Sequence, residues 1–91
     1  MDIVKVFGNN VKKYRTKNKL SQEAFAEKCG LHRTYISAIE CYRRSIALEN
    51  IQRIADALEI DTYKLFISDE DWFICKYILF LIFALELAEA D

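Results

Sequence analysis

Between Gln22 and Cys41 the chain reads QEAFAEKCGLHRTYISAIEC, and no other stretch restricts its fold as tightly. Apolar residues stand at the fourth, eighth, tenth, fifteenth and eighteenth places of this run: Phe25, Cys29, Leu31, Ile36 and Ile39. The fifth place holds Ala26 and the ninth Gly30. Two short helices that cross steeply over a tight turn need a small residue where the backbones approach and a glycine able to take positive φ. They also need apolar residues on the facing stripes. The spacing predicts a helix-turn-helix.

The second helix of this unit, roughly Arg33 to Glu40, has two faces of different chemistry. Ile36 and Ile39 point inward, so at 100° per residue Thr34, Ser37, Ala38 and Cys41 point away, and Arg33 projects from the exposed first turn. A guanidinium, two hydroxyls and a methyl on one face suit the major groove of DNA. Arginine can bond O6 and N7 of guanine together, and a threonine or alanine methyl can sit against the methyl of thymine. Arg33, Thr34, Ser37 and Ala38 are therefore the candidate base-reading residues. A polar outer face alone would be ordinary for an amphipathic helix; it is the match at every constrained place over twenty residues that favours DNA.

With its flanks, this stretch resembles the lambda-repressor-like (Xre-type) family of bacterial and phage DNA-binding domains. The resemblance is carried by Ser21-Gln22-Glu23, by Arg33-Thr34-Tyr35-Ile36-Ser37, and by Ile39-Glu40. Within that family it is most similar to the controller proteins of restriction–modification operons, through the RTYIS segment and the paired Arg43 and Arg44. The resemblance covers about residues 5 to 66. It implies that Gln22 touches the DNA backbone, and that an arginine of the first helix, Arg15, pairs with Glu40 at the end of the recognition helix. It also implies control of the chain's own gene and that of a restriction endonuclease, with phage repressors and antitoxins of the same family as alternatives.

The formal net charge of −1 hides an asymmetry. Residues 1–60 carry 11 Lys/Arg against 7 Asp/Glu, while residues 61–91 carry 2 against 7. A basic body suits phosphate, and the acidic tail is expected on the side away from DNA. Cys29, Cys41 and Cys75 are odd in number and fit no disulfide framework, and Met1-Asp2 leads straight into a helical pattern with no signal peptide. Both features point to the reducing cytoplasm. Zinc held by Cys29, His32 and Cys41 would need a fourth ligand, and Cys29 is wanted in the core, so no metal is expected. No nucleophile–base pair or phosphate loop suggests an enzyme, and no cofactor is implied.

Taken in order, a first helix is expected over Ile3 to Lys17, burying Ile3, Phe7, Val11 and Tyr14. Ser21 reads as the N-cap of the second helix. Lys17, Gln22, Tyr35, Arg43 and Arg44 are the candidate contacts to the DNA backbone, which position a protein rather than specify sequence. His32 is a poor cap for the recognition helix, leaving Thr34, water or a phosphate to assist. A fourth helix over about Leu48 to Glu59 should bury Leu48, Ile51, Ile54, Ala55 and Leu58, and Ile46-Ala47 cap it poorly. Asp61 should cap a short fifth helix through Phe66, with Tyr63 and Phe66 closing the core.

Residues 1–67 thus form the DNA-binding domain, and 68–91 a different kind of segment. Ser68-Asp69-Glu70-Asp71 has a capping-box spacing. The run WFICKYILFLIFALELA that follows is apolar nearly all round and needs cover on every side. Trp72 to Ala88 is about 25 Å long as a helix, short of a ~30 Å bilayer core; Lys76 interrupts it and both flanks are acidic. A buried strand is a second alternative, given the aromatic and β-branched content. The expectation is an all-α chain of five helices plus a sixth that pairs two copies through Trp72, Phe73, Tyr77, Phe80 and Phe83. The partners are then double-stranded DNA and a second copy of the chain. The rival from another class is a protein-interaction or membrane-associated module whose working part is the tail.

Overall fold

The computed structural model describes residues 2–68 and 78–86. Four α-helices follow one another: α1 (Ile3–Lys17), α2 (Gln22–Cys29), α3 (Arg33–Glu40) and α4 (Leu48–Leu58). A 3₁₀ helix, Thr62–Phe66, closes the body. Residues 78–86 are helical as well, so the apolar tail is a helix rather than a strand where it is described. No strand occurs among the described residues.

Local chemistry sets the helix boundaries. Asp2 caps α1, its Oδ1 accepting from the Val4 and Lys5 backbone N–H groups at 3.1 and 3.3 Å. Ser21 caps α2 as its sequence position predicts, accepting from Ala24 N–H at 3.0 Å. All four α-helices end in the same way, with one left-handed residue followed by an N–H that reaches back five residues. Leu20, Leu31, Arg43 and Ile60 donate to Arg15, Ala26, Ala38 and Ala55 respectively, at 2.9–3.1 Å. The left-handed residues are Lys19, Gly30, Tyr42 and Glu59, with φ between 58° and 73°. Only the turn inside the helix-turn-helix has the glycine.

α1 packs on α3 and on the 3₁₀ helix, while α2 packs on α3 and α4. Phe7, Val11, Phe25, Ile36, Ile39, Ile54 and Leu65 are all at most 4% exposed, and Ala26 and Cys29 are buried where α2 meets its neighbours. At Gly8 a Cβ would lie 2.4 Å from the Ile39 carbonyl oxygen. Backbone meets backbone there, fixing the height at which α3 crosses α1.

Several sequence expectations fail at the edges of this core. Ile3 is half exposed and Leu48 is 82% exposed, because each opens its helix and its first turn overhangs the body. Ala57 is buried on α4 instead, and Glu59 lies outside the helix as its left-handed cap. Tyr63 faces solvent, and Leu65 is the fully buried residue of that segment, since the tighter 3₁₀ winding shifts which side chains point inward. Asp61 makes no side-chain cap bond. Asn10 holds this segment in place, its amide donating to the Leu65 and Ile67 carbonyls at 2.8 and 2.9 Å.

Candidate nucleic-acid interface

Ile36 and Ile39 are fully buried, which turns the opposite side of α3 to solvent. Arg33, Thr34, Ser37, Ala38, Cys41 and Arg43 line an open concavity there of about 190 Å³. The four candidate base-reading residues are thus brought together. Two further groups join them: the Cys41 thiol, and Arg43, which the sequence groups with the phosphate contacts.

Behind this face a polar cluster fixes α3. Arg15 grips Glu40 with two bonds, Nε to Oε2 at 2.7 Å and Nη2 to Oε1 at 2.9 Å. Its third nitrogen donates to the Leu20 carbonyl at 2.8 Å. Gln22 donates to Glu40 Oε1 at 3.2 Å. One carboxylate therefore ties α1, the start of α2 and the end of α3 together, and a bidentate fork adds geometric precision to the charge attraction. Gln22 is partly buried at the mouth of α2, with its amide already engaged.

The remaining candidates do not line that concavity. Tyr35 is partly buried on α3, and its hydroxyl accepts from the Asn50 amide at 3.1 Å, leaving the phenolic proton without an acceptor among the described residues. The Arg44 guanidinium lies over the Tyr35 ring, 4.9 Å from its centroid, a cation–π contact. Lys17 is exposed at the end of α1. His32 makes no cap bond; its Nδ1 and the Thr34 hydroxyl lie 3.0 Å apart, a contact between side chains that leaves the start of α3 without a side-chain cap. Tyr42, whose ring packs by Gly8, hydrogen-bonds Asn9 and fastens the loop after α3 to α1.

Cys29 is buried, and burial pushes its thiol from 9.0 up to about 11, with Lys28 pulling weakly the other way. Cys41 is exposed. No group of three or more His, Cys, Asp or Glu side chains able to hold a metal occurs among the described residues. Phe80 and Phe83 are 67% and 61% exposed on the tail helix, as are their neighbours over 78–86. Trp72, Phe73 and Tyr77, like the capping-box spacing at Ser68–Asp71, fall on residues that lie wholly or in part outside those described.

Gly8, Asn10 and Asn50 matter to this geometry and were not singled out from the sequence. Asn10 carried a signal, being an amide on the same helical stripe as Phe7 and Tyr14. Gly8 and Asn50 carried none, because each is defined by a distant chain segment.

The HTH_3 helix-turn-helix family model matches residues 11–65, more than half of the chain and all of α2, α3 and α4. The chain belongs to this helix-turn-helix family. Among its relatives, the control protein C.SmaI of Serratia marcescens is 45% identical over 65 residues, covering 71% of this chain and 77% of that protein. A Neisseria hypothetical transcription factor, NHTF, superimposes with a TM-score of 0.78 at 38% identity, covering 81% of this chain and 85% of the other. The restriction-modification controller protein C.Esp1396I, solved as a tetramer with its natural 35 base-pair operator, gives 0.66 at 30% identity, covering 72% and 87%. The family model's match ends at residue 65, ahead of the described tail helix.

Proposed function

We propose that this chain is a sequence-specific transcriptional regulator that binds a two-fold symmetric operator as a homodimer and controls a restriction–modification operon. The observation that carries this is the outer face of α3, where a guanidinium, two hydroxyls and a methyl share one open concavity while Glu40 clamps the helix from behind. A reading helix must be presented rigidly, because base-edge hydrogen bonds discriminate only when their donors are held in register. The names of the relatives add the operon: C.SmaI is a control protein, and C.Esp1396I is a restriction-modification controller crystallised on operator DNA.

In this reading Arg33, Thr34, Ser37 and Ala38 meet base edges in the major groove. Lys17, Gln22, Tyr35 and Arg44 hold phosphates, which sets register without reading sequence. Arg15 and Glu40 carry structure. Two copies place their α3 helices in half-sites about one helical turn apart. The protein acts as a regulator and not an enzyme, and free Cys29 and Cys41 suit a reducing cytoplasm.

The test is a mobility-shift series with the duplex upstream of the chain's own gene against scrambled duplex of equal length, repeated at several salt concentrations. Tight binding to the first, and weak binding to the second that falls steeply with salt, is the expected result. Equal affinity for both would overturn the reading.

A further inference from the structure

Arg43 and Arg44 are adjacent in sequence, yet the fold sends them to different places. Arg44 lies over the Tyr35 ring and lines an apolar hollow with Phe7, Ile46 and Phe66. Arg43 turns the other way and lines the concavity of the reading face, beside Cys41 and Ala38. The geometry points to Arg43 as a base-reading residue that extends the recognition surface beyond the end of α3, a proposal that rests on the DNA-binding function above.

The helix terminus makes this placement firm. Tyr42 takes the left-handed conformation, φ 62°, and the Arg43 N–H closes back on the Ala38 carbonyl at 2.9 Å. The Tyr42 side chain is held by Asn9 and lies against α1, so the reversal is anchored at both ends. Arg43 thus starts from a backbone fixed to the reading helix rather than from a loose loop. Its guanidinium has no hydrogen-bond or ion-pair partner among the described residues, and neither has that of Arg33 at the other end of the concavity. From Arg33 to Cys41 the helix advances about 12 Å, or three to four base-pair steps at about 3.4 Å each. Two unpaired guanidinium forks bracket that span. A fork that reaches a groove floor bonds guanine O6 and N7 together, whereas a lysine supplies only a point charge.

The experiment is selection of binding sites from a randomised duplex pool by the full chain and by its Arg43→Ala, Arg43→Lys and Arg33→Ala variants, with circular dichroism to establish folding. Wild type should select a symmetric site with two guanine positions per half-site. Arg43→Ala and Arg43→Lys should each lose preference at one of these and keep the other, while Arg33→Ala shows the complementary loss. The ratio of selected-site to random-duplex affinity should fall roughly 5- to 150-fold in both Arg43 variants. If Arg43→Ala lowers affinity equally on both duplexes, flattens the salt dependence and is rescued by Arg43→Lys, Arg43 is a phosphate contact and the proposal fails. If wild type itself selects no sequence, the DNA-reading function fails with it, a result that the variants cannot mimic.

Discussion

Glu40 shows how a single side chain connects stability to recognition. It is nearly buried, accepts three side-chain hydrogen bonds from Arg15 and Gln22, and stands at the last residue of the reading helix. Breaking a buried pair leaves the survivor desolvated and unmatched, so Arg15→Ala should cost about 3–5 kcal/mol. Thermal denaturation should show a lower melting temperature together with weaker operator binding. An unchanged melting temperature with weaker binding would make Arg15 a simple phosphate contact. Arg33 is the opposite case, exposed and engaged with nothing inside the described protein. Arg33→Ala should leave stability and random-DNA affinity nearly unchanged while weakening the cognate site by about 1–3 kcal/mol. Equal losses on both duplexes in a competition assay would remove it from the reading set.

Helix endings govern the behaviour of whole elements. Each of the helices α1 to α4 terminates in a left-handed residue, and at Lys19, Tyr42 and Glu59 that residue carries a Cβ. The strain of that conformation is about 1–2 kcal/mol, against an entropic cost for glycine of about 0.5–1 kcal/mol. Lys19→Gly and Glu59→Gly should therefore each stabilise the fold by about 0.5–1 kcal/mol, measurable as a rise in the urea midpoint; a fall would show that their side chains hold something in place. Tyr42 is excluded from this set because its ring also fastens α3 to α1. α2 offers a test of burial through Cys29. The unfolded thiol releases its proton near pH 9 while the folded one keeps it to about 11, so folding stability falls as pH rises through that window. Denaturant midpoints of wild type and Cys29→Ala, compared between pH 8 and 11, should converge as that contribution is lost. A constant difference would mean the thiol is not desolvated.

At the scale of the whole molecule, seven of the eleven exposed large hydrophobic residues among those described lie on the tail helix. Residues 78–86 form a helix whose Ile78, Leu79, Phe80, Leu81, Ile82, Phe83 and Leu85 are between 45% and 67% exposed. No helix among the described residues is long and apolar enough to cross a membrane. A soluble monomer tolerates exposed apolar patches of only a few hundred Å². Pairing of two copies through this helix is the expected solution, and sedimentation of the full chain in detergent-free buffer should find a dimer. Phe80→Asp with Phe83→Asp should dissociate it and sharply weaken operator binding, because the second half-site loses its linkage advantage. Truncation should leave a folded monomer if the cut falls after Ser68. A cut after Phe66 would remove the Ile67 carbonyl that Asn10 holds, and would confound folding with assembly. A monomeric full chain would refute this account of the tail.

Much of this protein is settled by near-neighbour chemistry and was therefore legible in sequence. The limits of α1, the Ser21 cap, the glycine turn and the two-faced α3 depend on spacing within a few residues, and spacing is what a sequence displays. The failures have a common cause. Leu48 is as apolar as its buried neighbours and Tyr63 has a ring large enough for a core, but whether a helix end overhangs the body, or a turn winds as 3₁₀, depends on what lies across the fold. The same holds for Gly8, whose need for a bare backbone arises from Ile39, thirty-one residues later. Arg43 and Arg44 make the point most sharply, for adjacent identical side chains have no sequence pattern to tell them apart. The left-handed turn at Tyr42 and the ring of Tyr35 separate them, and only tertiary structure brings those groups together.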